Sequence, residues 1–133
     1  MSKNIKKYTL KRMVVAQMNK KLKVLYKKVG CEPEILEIKD ELKVMQKLVD
    51  GLIEVVTYND DVLIICNDEG KLLNMKPNIQ FDYDYIAGDC FFVGDDFENA
   101  GFKDLTDKQI EEVRKMLEEK SITYDSLDEE KEI

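Results

Sequence analysis

The residues able to do chemistry in this 133-residue chain are few, and their positions rule out most of it. Histidine is absent, and the only serines are Ser2, Ser121 and Ser126, near the two ends. Nucleophilic catalysis of the Ser-His or Cys-His kind needs an imidazole to take the proton, so both arrangements are excluded, as are His-bearing zinc and iron sites. Cys31, Cys66 and Cys90 are widely separated, and an odd number without CxxC spacing makes neither a disulfide framework nor a zinc knuckle. Cys66 and Cys90 lie inside the apolar runs IIC and CFFV and read as small core residues. No acid, base and nucleophile constellation stands out, so the chain is expected not to be an enzyme and to need no metal and no cofactor.

The densest polar cluster falls within IICNDEGKLLNMKPN, residues 64 to 78. Asn67 to Gly70 follows an apolar strand, and these residue types suit a type I turn closed by a left-handed Gly70. Asp68 and Glu69 do not make a calcium site, because six to eight oxygens are normally needed and the EF-hand spacing is missing. The competing reading makes the cluster a pocket for a small ligand or signalling nucleotide, with Asn67, Asp68, Lys71, Lys76 and Asn78 around it. Further on, Asp82 and Asp84 form a D-x-D pair in FDYDY. Such a pair is common by chance in so acidic a chain, and it reads as solvated loop acids alternating with Phe81, Tyr83 and Tyr85. With Asp95 and Asp96, these acids are candidates for facing a partner.

Charge divides the chain. Residues 1 to 28 hold ten Lys or Arg and no acid, whereas residues 29 to 133 hold eleven Lys or Arg and twenty-eight acids, so the halves carry +10 and −17. A basic arm on an acidic body follows. Lys6, Lys7, Lys11 and Arg12 in that arm either fold against the body, meet a partner or reach a polyanion such as nucleic acid. Nucleic-acid binding would be sequence-tolerant and steeply salt-dependent, and the acidic body would oppose it. No apolar window is long enough to span a bilayer, and no signal-peptide core follows the lysines, so a cytoplasmic protein away from membranes is expected.

These groups must be positioned by one domain, the default at this length. YTLKRMVVAQMNKK (8 to 21) spaces Leu10, Met13, Val14 and Gln17 as a helix would. LKVLYKKV and EILEI alternate around the GCEP turn and read as two paired strands. In DELKVMQKLVDG, Leu42, Met45, Leu48 and Val49 share one helix face, with Asp40 as N-cap and a left-handed Gly51 ending the helix. LIEVVTY and DVLIIC are strands joined by Asn59 and Asp60 as a two-residue loop. AGDCFFVG is one more strand. Thr106 and Gln109 form a capping box for a last helix whose Ile110, Val113 and Leu117 line one stripe, with Leu105 stapled to Ile110. SITYDSLDEEKEI then reads as a frayed acidic tail. The expected fold is α+β: a mostly antiparallel sheet with both helices packed on one face, plus the N-terminal basic arm. The arm covers 1 to 21, a single domain 22 to 120 and the tail 121 to 133.

The order of these elements, with GCEPEILEI, the helix before Gly51-Leu52-Ile53-Glu54-Val55-Val56, the NDEGKL turn, Pro77-Asn78, and IAGDCFFVG before DLTDKQIEEV, resembles the domain of unknown function 3846 family over residues 22 to 117. That family is met mainly in phages, plasmids and integrative elements of bacteria. The resemblance implies a mobile-element context and no mechanism. Within it the expected function is a non-enzymatic accessory protein that binds a host or defence-system protein, an anti-defence role. A small-ligand or nucleotide sponge and nucleic-acid binding through residues 1 to 21 are the alternatives.

Overall fold

The runs VLIIC and CFFV are apolar at successive positions, so side chains on both faces of those strands must be covered. The computed structural model, which describes residues 20 to 124, meets this demand by placing both runs inside a sheet covered on two sides. Along the described residues the order is β1 (Lys21–Lys27), β2 (Glu34–Lys39), α1 (Leu42–Val49), β3 (Ile53–Thr57), β4 (Val62–Asn67), β5 (Pro77–Gln80), β6 (Tyr85–Ala87), β7 (Cys90–Asp96), β8 (Gly101–Lys103) and α2 (Asp107–Lys120). The main sheet runs β2-β1-β7-β4-β3, with β8 pairing β7. All of its pairings are antiparallel, and β5 and β6 form a separate two-stranded antiparallel hairpin. The α+β fold with a mostly antiparallel sheet is therefore as the sequence implies. No helix among the described residues is long and apolar enough to cross a membrane.

The two helices do not share a face. Alternation along the strands sends Leu22, Val24, Leu63, Ile65, Phe91 and Val93 to one side, where Met45 and Val49 of α1 pack. Leu25, Val62, Ile64, Cys90 and Phe92 go to the other side, where Ile110, Val113 and Leu117 of α2 pack together with Ile79 and Ile86 of the β5–β6 hairpin. Expecting both helices on one face would have left one side of β4 and β7 in water. At roughly 1.5–3 kcal/mol for each large apolar side chain left uncovered, that arrangement is untenable.

Element ends differ from expectation in physically clear ways. Asp40 does not cap α1: it is buried with its carboxylate 3.3 Å from the Lys20 ammonium, and Glu41 occupies the cap position without a side-chain hydrogen bond. The left-handed residue ending α1 is Asp50 (φ 60°), and Gly51 follows at φ 152°. The β3–β4 connection is wider than two residues, spanning 58 to 61, because Asn59 Oδ1 accepts from the backbone N–H groups of Asp61 and Val62 and so builds the turn from its side chain. β8, which the sequence did not suggest, pairs with the end of β7. Residues 121 to 124 are tied down: Ser121 bridges Ile79, Ile122 N–H donates to Asn78 O at 2.9 Å, and the Tyr124 hydroxyl donates to Pro77 O at 2.8 Å. Residues 8 to 19 of the expected helix and the rest of the tail lie outside the described residues, while Lys21, expected as the helix's last residue and the end of the arm, instead opens β1, where it pairs with Lys39 of β2.

The capping box at α2 is present in both directions, Gln109 N–H donating to Thr106 Oγ1 at 3.1 Å and Thr106 N–H to Gln109 Oε1 at 2.9 Å. Thr106→Ala is expected to lower the unfolding free energy by about 1 kcal/mol in a denaturant titration. Lys108→Ala, exposed in the first turn of α2, should change it by less than about 0.5 kcal/mol.

Candidate functional site

β3 ends the sheet order, and the side of its ladder away from β4 meets no described strand. Its Glu54 and Val56 alternate toward the face that carries the β5–β6 hairpin, as does Cys66 of β4. The hairpin stops short of covering that edge. A groove of about 510 Å³ remains between β3 and β6, closed at one end by the turn after β4. Val56, Cys66, Ile86 and Ala87 form its apolar floor, and a smaller cavity of about 210 Å³ continues it toward Tyr58 and Phe81.

The turn is built by Asn67. Its side chain is buried, donating from Nδ2 to Val49 O and Asp50 O, both at 3.0 Å, while Oδ1 accepts from Glu69 N–H at 2.7 Å. The amide thus clamps the end of α1 to the turn, and all of its polar atoms are engaged in the fold. Leu73 N–H then donates to Glu69 O at 2.8 Å and Met75 N–H to Gly70 O at 2.9 Å, so residues 68 to 74 form a helix-like turn rather than a strand start. Gly70 is not left-handed, contrary to the type I reading; it is required because a Cβ there would stand 2.8 Å from the Ala87 carbonyl oxygen. That close approach seats the turn on β6.

Around the mouth stand Glu54, Asp68, Glu69 and Asp84, all exposed, with Lys71 as the facing cation. Lys71 is paired with Asp84 and lies 4.7 Å above the Tyr85 ring. Their hydrogen bond raises Lys71 and lowers Asp84 from their ordinary pKa values. Since each neutralises the other, Glu54, Asp68 and Glu69 set the sign of the mouth, which is negative. In the floor, burial pushes the Cys66 thiol up to about 12, and the nearby Glu54 carboxylate adds to the effect. The thiol is therefore protonated at neutral pH and is no nucleophile.

Asp68 and Lys71 thus meet at the groove with Asp84, a residue expected at a partner surface. Asp82 turns away toward Lys120 at 3.4 Å, so the D-x-D pair does not converge. Among the described residues no group of three or more Cys, Asp or Glu is arranged to hold a metal. Asn78 is fully buried beneath the hairpin, its Oδ1 3.0 Å from Lys27 Nζ and its Nδ2 donating to Lys27 O and Gly88 O at 2.9 Å. Lys76 is exposed, 4.9 Å above the Tyr124 ring. Asp95 is buried in β7 and Asp96 is held by Asn99, both on the β7–β8 hairpin rather than at the groove. Lys6, Lys7, Lys11 and Arg12 lie outside the described residues. Glu54 and Tyr85, which line the groove, were not among the expected site residues. The alternation of Glu54 with Ile53 and Val55 was the available signal, but only the position of β6 turns it into a rim residue.

A family model described as "Domain of unknown function (DUF3846)" matches residues 11–118. It reaches eleven residues into the segment expected to be an arm, residues 11 to 21, so only residues 1 to 10 of that arm fall outside the match. No curated protein and no solved structure matches the chain.

Two measurements check this geometry. Gly70→Ala should lose on the order of 1 kcal/mol in thermal or chemical unfolding through the clash with Ala87, while Asp68→Ala stays within about 0.5 kcal/mol. A thiol reagent applied to the native protein at neutral pH should modify Cys31, which is exposed, and leave the buried Cys66 and Cys90 untouched until denaturant is added.

Proposed function

The chain belongs to the DUF3846 family, and from that premise, which brings no mechanism with it, we propose that it is a non-enzymatic protein-binding domain whose groove between β3 and β6 takes an extended, basic segment of a partner protein. The observation that carries this reading is the groove itself: an apolar floor beside an open strand edge, under an acidic rim, with its one thiol held protonated. An extended segment would place an apolar side chain on the floor and Lys or Arg against Glu54, Asp68 and Glu69, and its backbone would pair with the free side of β3. Leu52, Leu72 and Leu73, exposed beside the turn, widen the apolar contact. The floor supplies affinity of roughly 1.5–3 kcal/mol for each buried side chain, whereas exposed rim charges add little energy and mainly select the partner's sign.

The mobile-element setting implied by the family makes a host or defence-system protein the partner class within this reading, acting in the cytoplasm. A nucleic-acid partner at this groove is disfavoured, because three uncompensated carboxylates repel phosphate.

Fluorescence anisotropy with labelled extended peptides of alternating Lys and Leu tests the proposal. Binding should weaken with added salt, fall about tenfold or more in Glu54→Lys/Asp68→Lys, and persist in Glu111→Lys on α2. Hydrogen exchange should slow across Ile53–Thr57 when the peptide is bound. Equal affinity in the charge-reversed protein, or protection confined to another element, would overturn the reading.

A further inference from the structure

A second cavity, of about 260 Å³, lies under the carboxyl end of α2 and against the turn at Gly30 to Pro33. Lys27 lines it. On β1 this residue alternates in phase with Lys23 and Leu25, so its side chain enters the layer beneath α2, and it is only 1% exposed. The ammonium donates to Lys28 O at 2.9 Å and Asn78 Oδ1 at 3.0 Å, and no described carboxylate lies within ion-pair distance of it. An ammonium has three protons, so one donor remains unassigned. The Ser121 hydroxyl lines the same cavity, and its oxygen is buried with no hydrogen-bond partner. It is held there by the bridge to Ile79 and by its own N–H donating to Leu117 O at 3.0 Å.

Two incompletely satisfied polar groups meeting at one cavity are costly, and a buried uncompensated cation most of all. We propose that this cavity binds a small molecule carrying one carboxylate or phosphate group, whose oxygens accept from the Lys27 ammonium and the Ser121 hydroxyl, with Arg114 at the mouth. The size is below the usual range for drug-sized ligands, so the occupant is small. Glu32 and Glu118 also line the mouth and set an upper limit on charge: one anionic group reaching Lys27 is compensated, while a polyanion would meet both carboxylates. Burial lowers Lys27 from its ordinary pKa, opposed in part by Cys90, Cys31, Glu32 and Asp89. An anion at the ammonium would reverse that fall. The site is separate from the β3–β6 groove and stands or falls independently of it.

Thermal unfolding of the full chain with inorganic phosphate, or with acetate, is compared with sodium chloride at equal ionic strength to remove general screening. At least one of the two anions should raise Tm saturably above the chloride control, and the side-chain nitrogen resonance of Lys27 should move with the same midpoint. A response to phosphate alone assigns a phosphate ligand and a response to acetate alone a carboxylate; a response to both supports the shared chemistry. Arg114→Gln, at an exposed position, and Ser121→Ala should each weaken the midpoint about tenfold, the loss expected for one hydrogen bond to a charged group. Lys27→Met, checked for folding by circular dichroism, should abolish the response. Absence of any saturable response to either anion, or midpoints unchanged in Arg114→Gln and Ser121→Ala, overturns the proposal.

Discussion

Burial of β4 and β7 on both faces is the constraint on which the rest of the molecule depends. Every residue of β4, and every residue of β7 up to Asp95, is buried, so the two strands need cover above and below. One face is closed by a single helix of eight residues, α1, whose Met45 and Val49 reach the core. The other is wider and is closed by two separate pieces, α2 and the β5–β6 hairpin, held together by Ser121 to Tyr124 lying along β5. Gly88 makes that arrangement possible. Its φ of 83° lets the chain swing from β6 into β7, at a point where any Cβ would stand 2.8 Å from the Met75 sulfur.

A face covered by two pieces has seams, and both cavities with functional promise are seams. The β3–β6 groove exists because the hairpin ends before the sheet does. The Lys27 cavity exists where α2 gives way to the segment that follows it. The seams differ in their electrostatics. At the groove the charges are exposed, one pair cancels, and the acidic remainder meets water, so its value lies in selecting a partner. At Lys27 a charge is withdrawn from water, with neutral oxygens alone as its contacts, which makes that site far more sensitive to a single bound anion.

Much of the fold was legible in the sequence because periodicity and capping chemistry are local. The β1–β2 pair, the β3–β4 pair, β7 and the Thr106 capping box lie where alternation and residue type put them. What misled was capping and turn chemistry with a competing partner. Asp40 has a cap-forming side chain, but Lys20, distant in sequence, engages it instead. Gly70 reads as a left-handed turn residue, yet its role is close packing against Ala87, which lies on another element. The expected site residues fared unevenly for the same reason. Asp68, Lys71 and Asp84 meet at the groove, while the Asn67 and Asn78 amides are drawn into the scaffold by backbone groups contributed from elsewhere.

By itself the sequence determined the residue chemistry and the elements: no imidazole, dispersed thiols, alternating strands, an amphipathic α2, and apolar runs too continuous for a one-faced sheet. Only the tertiary structure decided which face each helix covers, that Lys27 is buried, and that Glu54 stands opposite Tyr85 across a groove. The physical reason is separation along the chain. Hydrophobic period and capping act over a few residues, whereas the environment of a charge is set by whatever element the packing of the whole sheet brings beside it.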